Sequence, residues 1–144
     1  MKYLVDTCVI SELVAPRPSA AVVTWLDRQD AEAIYLSVIT VGEIRKGIEK
    51  LAESRRKTTL RTWLNEELLV RFKDHLLPID VDVMLTWGQL AARLDAAGHP
   101  MPAIDTLVAA FALTGDLALV TRNEADFRHA GVRLLNPWKA AAGA

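Results

Sequence analysis

Lys2-Tyr3-Leu4-Val5-Asp6 is a short apolar, β-prone run that ends on a carboxylate. A run of this length without polar alternation is the pattern of a strand covered on both faces, as in a parallel sheet. An acid directly after such a strand stands where open α/β sheets gather their functional groups. The rest of the chain repeats the theme: Ile34–Ser37, Leu76–Ile79, Leu117–Val120 and Val132–Leu135 are further short strand candidates, each separated from the last by helical signals.

Those signals are capping residues followed by apolar periodicity. Ser11–Val14 predicts a brief helix ended by Pro16 and Pro18, and Ser19 is positioned to cap Ala20–Arg28. Thr40 is expected to cap a helix reaching about Glu53, with Val41, Ile44, Ile48 and Leu51 on its inner face. The next helix, about Ser54–Lys73, carries Leu60, Leu64, Leu68 and Phe72 at steady four-residue spacing. Val81–Ala97 closes on Gly98 in a left-handed cap, and Ala103–Leu113 is an apolar helix preceded by Pro102. Strands alternating with helices predict right-handed crossovers and an α/β fold: a parallel five-stranded sheet sandwiched by helices. We expect one domain over 1–138 and a short, frayed tail over 139–144.

Composition narrows the function. In 144 residues, 51% are hydrophobic and 24% charged, in short blocks, which is a globular balance. No window approaches the roughly 20 apolar residues of a bilayer span, and Asp6 interrupts any signal-peptide core, so the expected location is the cytoplasm, with no membrane partner. The single cysteine, Cys8, excludes an intramolecular disulfide and a thiolate zinc cage, and its expected role is core packing. Net charge is −1, so the overall field does not itself favour nucleic acid. Arg45, Lys46, Lys50, Arg55, Arg56, Lys57 and Arg61 are nevertheless close in sequence, forming either a basic rim or a solvated helix face. His75, His99 and His129 read as surface residues.

Five oxygen-bearing side chains fall at element ends: Asp6 after the first strand, Glu43 in the first turn of its helix, Asp105 opening a buried helix, and Asn123 and Asp126 after the fourth strand. Singly, each has an ordinary role as a helix cap or a partner of the helix dipole. Together they suggest more. Asp6 and Asp105 are bordered by apolar residues, and a carboxylate withdrawn from water persists where donors or a cation compensate it. Clustered hard oxygens with few histidines select Mg2+, with Mn2+ as a substitute, over zinc. Such a site suits phosphodiester hydrolysis. Other chemistries lack their signatures: there is no Gly-x-Ser-x-Gly elbow, no glycine-rich phosphate loop, and no histidine near Cys8. A phosphatase with an aspartyl nucleophile would need an acid two residues after Asp6, where Cys8 stands.

Four segments in order carry a family resemblance: Tyr3-Leu-Val-Asp-Thr-Cys-Val-Ile-Ser-Glu-Leu13, Ser37-Val-Ile-Thr-Val-Gly-Glu-Ile-Arg-Lys-Gly47, Pro102-Ala-Ile-Asp-Thr-Leu-Val-Ala-Ala-Phe-Ala112, and Leu119-Val-Thr-Arg-Asn-Glu-Ala-Asp-Phe127 leading to Asn136-Pro-Trp138. Over nearly its full length the chain resembles the PIN-domain ribonucleases, specifically the VapC-like toxins of type II toxin-antitoxin systems, close to the FitB-like branch. The resemblance implies a metal-dependent endoribonuclease with Asp6, Asp105 and Glu43 as metal ligands or their supports, and products carrying a 5′ phosphate. It further implies Thr121, and beside it Thr7, as hydroxyls that orient the acids. Close relatives carry a fourth acid directly after the Thr-Arg pair; here Asn123 stands there, and Asp126 three residues on is the alternative. The implied partners are RNA as substrate, a cognate VapB-like antitoxin lying in a groove, a second copy of the chain, and DNA only through the antitoxin. Trp25 and Trp63 are candidates to line that groove. The rival reading is a weakly active or inactive PIN-like module that binds RNA or protein without cutting.

Overall fold

In the computed structural model, which describes residues 1–140, the chain folds around one parallel sheet. Strand β1 (Tyr3–Val5) leads through α1 (Thr7–Glu12) and α2 (Ala20–Arg28) to β2 (Ile34–Ser37). Helix α3 (Val38–Glu49), helix α4 (Arg55–Trp63) and helix α5 (Leu69–Arg71) precede β3 (Leu76–Leu77). A long α6 (Val81–Ala96) and α7 (Ala103–Gly115) precede β4 (Ala118–Val120). Helix α8 (Glu124–Phe127), β5 (Leu134–Leu135) and α9 (Pro137–Ala140) complete the described chain. The sheet order is β3-β2-β1-β4-β5, and each of the four pairings is parallel. No helix is long and apolar enough to cross a membrane among the described residues.

Alternation along the central strands makes two cores. Leu4 pairs with Leu119 and both face α6 and α7, where Leu90, Leu94, Val108 and Phe111 are buried. Val5 pairs with Val120 and both face the opposite way, toward Val9, Ile10, Ile44, Leu64 and Leu68. Both strand faces are thus covered, which is why these strands read as unbroken apolar runs.

Several boundaries differ from the sequence reading. The first helix begins at Thr7, immediately after Asp6. Helix α3 begins at Val38, capped by Ser37, whose Oγ accepts from Thr40 N at 3.4 Å. Thr40 is buried inside the helix, so Glu43 lies in the second turn rather than the first. The segment expected as one helix over 54–73 widens to a π-helical stretch at Leu64–Leu68. The four-residue spacing explains this: on an ordinary helix of 3.6 residues per turn, side chains four apart drift around the axis. A widened turn returns them to one face, and Leu64, Leu68 and Phe72 are all buried. Gly98 takes the expected left-handed conformation, φ 76°. Lys139 and Ala140, expected in the frayed tail, lie within α9, and the remainder of that expectation, residues 141–144, lies outside the described residues.

Candidate active site

The strand order reverses direction between β1 and β4: β2 and β3 lie on one side of β1, β4 and β5 on the other. Open α/β sheets leave a crevice beyond the carboxyl ends of the strands at such a point. Asp6 follows β1 and Thr121 follows β4, and the two meet there. Asp6 N donates to Val120 O at 2.9 Å, and Thr121 Oγ1 donates to Asp6 Oδ2 at 2.8 Å. Asp6 Oδ1 accepts from Thr7 N at 2.9 Å. A helix cap ordinarily serves the second or third helical N–H; Asp6 reaches the first and spends its other oxygen on a residue 115 positions away.

Burial dominates the electrostatics of Asp6, which is 9% exposed. Desolvation raises its pKa above the ordinary aspartate value, opposed by the hydrogen bonds from Thr121 and Thr7 and reinforced by the negative charge of Glu43. Asp105, in the first turn of α7, is half-buried. Its pKa is also raised, first by desolvation, then by the fields of Asp126, Asp6 and Glu43 in that order. Four acids from four elements therefore share one electrostatic neighbourhood. Among the described residues, neither Asp6 nor Asp105 forms an ion pair.

The hydroxyls knit the acids to the frame. Thr7 Oγ1 donates to Glu43 Oε1 at 2.6 Å and lies 3.1 Å from Thr40 Oγ1, tying α1 to α3. Thr121 Oγ1 also accepts from Asn123 N at 3.0 Å, fixing the turn after β4. Asn123 and Asp126 are both exposed. Asp126 is the charge that bears most on Asp105, whereas Asn123 engages Thr121 through its backbone.

An all-oxygen donor set of this kind fits a hard divalent cation. It is not a cage. Among the described residues no three histidine, cysteine, aspartate or glutamate side chains gather closely enough to enclose an ion, so Asp6, Glu43 and Asp105 share a neighbourhood without forming a closed three-ligand cage. Glu43 is oriented by its short bond to Thr7, the residue after Asp6. The arrangement matches a cation such as Mg2+, which takes one or two protein carboxylates, keeps several waters and leaves positions for phosphate.

Other expectations change too. The basic rim is only partly self-neutralised: Arg45 and Arg61 both pair with Glu49, at 3.0 and 3.1 Å, and Lys57 pairs with Glu53 at 3.0 Å, while Lys46, Lys50, Arg55 and Arg56 form no ion pair among the described residues. Arg61 holds the Glu49 carboxyl below the ordinary range. Lys57 is buried, its Nζ donating to Glu49 O and Leu51 O. Cys8 packs against the core as expected, yet its Sγ also lies 3.9 Å from Asp6 Oδ2 and accepts from Arg122 N at 3.5 Å. Trp63 lines an apolar groove with Val14, Ile44 and Leu60 that runs up to Glu43 and Thr7. Trp25 does not line it; it packs edge-on against Tyr3, with ring centroids 5.1 Å apart. His75 is not a bland surface group, since its Nδ1 lies 2.9 Å from Ile34 O and its ring packs on Tyr35.

The sequence pattern of the PIN domain matches residues 3–132. This chain belongs to the PIN-domain family. It is 38% identical to plasmid stability protein StbB of Pseudomonas syringae pv. tomato over 137 residues, covering 95% of this chain and 99% of that protein. It is 35% identical to VapC ribonuclease Y4jK of Sinorhizobium fredii, covering 96% and 99%, and 37% identical to toxin FitB of Neisseria gonorrhoeae, covering 94% and 97%. A solved structure of FitAB bound to IR36 DNA superposes on this PIN domain with a TM-score of 0.90 at 35% identity, covering 94% of this chain and 95% of the other.

The sequence reading missed Thr40, concealed by its misassignment as a cap, and Arg122 and Trp138, treated below. The Asn136-Pro-Trp138 motif was the available signal, but it carried no indication of what the ring would face.

Proposed function

We propose that this PIN-domain protein is a Mg2+-dependent endoribonuclease and the toxin of a toxin-antitoxin pair. One observation carries the reading: Asp6 is buried and Asp105 half-buried without a cationic partner, while the charges of Glu43 and Asp126 press on Asp105 at the sheet's switch point. Acids so placed are costly unless a cation joins them. The ribonuclease and toxin names of relatives that this chain covers almost end to end support the same reading.

Asp6 and Asp105 are the residues that would hold Mg2+, or Mn2+ in its stead, with Asp126 as the fourth acid. Bound there, the ion supplies Lewis-acid stabilisation of a phosphodiester and a more acidic water. Thr121 keeps the Asp6 carboxylate charged and aimed by donating to it. Glu43, oriented by Thr7, offers its exposed carboxylate to order a water and accept its proton. Asn123 serves the backbone of the turn.

The structure of FitAB bound to DNA is consistent with a cognate VapB-like antitoxin as partner, and any DNA contact of this chain is expected to run through that antitoxin. The apolar groove beside Glu43 is suited to an amphipathic antitoxin segment. Exposed Val38, Ile79 and Ile104 line a second apolar surface, which a further copy of the chain would cover in a homodimer. The cytoplasm is the compartment that holds these partners.

Purified protein incubated with an RNA panel tests the core of this reading. Cleavage with Mg2+ is expected to stop with EDTA and in Asp105→Asn. Binding without any metal-dependent cleavage would favour the non-cutting module, a reading that the neutral Asn123 at the Thr-Arg pair supports.

A further inference from the structure

Among the basic residues of α3 and α4, Arg45, Lys57 and Arg61 are paired with Glu49 and Glu53, while Lys46, Arg55 and Arg56 are exposed and form no ion pair among the described residues. Arg122 differs. It follows Thr121, the residue bonded to Asp6, and its backbone N–H donates to Cys8 Sγ at the same crevice. It is exposed, and among the described residues it forms no ion pair. Its guanidinium carbon lies 4.1 Å from the centroid of the Trp138 ring.

The ring is itself held. Trp138 N donates to Asn136 Oδ1 at 2.9 Å, Asn136 Nδ2 donates to Glu124 Oε2 at 3.2 Å, and Lys139 Nζ lies 2.8 Å from the same Glu124 oxygen. These contacts lock the Asn-Pro-Trp segment onto the first residue of α8. The Trp138 indole Nε1 is buried with no hydrogen-bond partner among the described residues. A buried orphan N–H is unfavourable, so packing of the ring faces, not the polar handle, decides where the indole sits.

A guanidinium stacked by its face on an aromatic ring keeps its N–H edges free, in the fork that matches two phosphate oxygens. We propose that Arg122, stacked on Trp138, is the substrate-phosphate contact that sets RNA across the acid site, with Trp138 as its positioning residue. This deepens the ribonuclease reading and rests on it. A near-neutral chain cannot draw RNA by its overall field, so a cation already held in place beside the acids contributes to substrate affinity.

The test measures anisotropy of a labelled single-stranded RNA that the wild-type protein cleaves, bound by the full chain in EDTA, in a background of Asp105→Asn. Arg122→Ala is expected to weaken binding roughly tenfold, the loss of one charge-assisted contact. It should also reduce the steepness of the salt dependence by about 0.7, the value of one phosphate contact on a single strand. Arg122→Lys should restore the salt dependence but only part of the affinity, since an ammonium cannot form the fork. Trp138→Phe, which keeps an aromatic face and removes the orphan N–H, should bind as the parent does. Trp138→Leu, checked for an unchanged circular-dichroism spectrum, should lose affinity as Arg122→Ala does. With Asp105 restored, Arg122→Ala should raise KM more than it lowers kcat. Unchanged affinity and salt dependence in Arg122→Ala, with wild-type cleavage intact, would overturn the assignment of Arg122 and leave the ribonuclease reading standing. A wild-type chain that neither binds nor cuts any RNA would overturn both.

Discussion

Thr121 and Asp6 are 115 residues apart in the chain and 2.8 Å apart in the fold. Their bond joins the ends of β1 and β4, the two strands between which the sheet changes direction. It is the main donor-based support of a carboxylate that burial otherwise pushes toward its neutral form.

Removing that donor should therefore show in the pH profile. In Thr121→Val the Asp6 pKa rises further, so the acid limb of kcat/KM moves to higher pH and activity near neutrality falls, by roughly tenfold for one lost charge-assisted bond. Thr121→Ser, which retains the hydroxyl, should keep the wild-type limb. A profile unmoved in Thr121→Val would show that Asp6 titrates without regard to this bond.

Asp105 permits a sign test on stability. Its folded pKa is raised above that of the unfolded chain, so between those two values the native state binds more protons than the unfolded one, and its charge destabilises the metal-free fold increasingly as pH rises through the window. Asp105→Asn mimics the protonated form. In EDTA it should melt above wild type at pH 7, with the advantage shrinking as pH falls toward 3.8, the ordinary aspartate value. An equal or lower melting temperature at pH 7 would mean that the acids do not repel one another.

Cation binding should relieve the same strain. Mg2+ is expected to raise the melting temperature of wild type, by up to about 2.7 kcal/mol of stability at a hundredfold excess over Kd, and to leave Asp6→Asn and Asp105→Asn nearly unmoved. Asp126→Asn should show a reduced response, whereas Asn123→Ala should respond as wild type does. The reverse ranking would assign the fourth position to Asn123.

Lys57 provides a control away from the acids. Its buried ammonium donates to Glu49 O and Leu51 O where α3 ends. Lys57→Met leaves those carbonyls without that donor, and a loss of about 1–3 kcal/mol is expected, read by urea denaturation. The Mg2+ response of the surviving native protein should be retained.

Much of this architecture is written locally. Tyr3–Val5 running into Asp6 gives a buried strand and its terminal acid without any knowledge of partners, because a parallel strand covered on both faces admits no polar alternation. Helix starts are less legible: Ser37 and Thr40 are both competent caps, and only the burial of Thr40 decides between them. The widening at Leu64–Leu68 was implicit in the four-residue spacing, but a spacing alone does not say whether the helix or the face will yield. Distances among the acids are set by tertiary contacts such as Thr7 to Glu43, which no single segment encodes. The same holds for Arg122, whose near neighbour in sequence, Glu124, pairs instead with Lys139.

The sheet order has a consequence for synthesis. Because β4 inserts beside β1, the backbone of Asp6 obtains its Val120 acceptor, and its side chain the Thr121 hydroxyl, only after synthesis has passed residue 121. A growing chain that has emerged only through α6 carries Asp6 and Glu43 but no Asp105, and has nothing to close the wall against which Asp6 is desolvated. The complete acid site is thus absent from any growing chain that has not yet reached β4, and fragments ending before β4 are expected to show no metal-dependent cleavage.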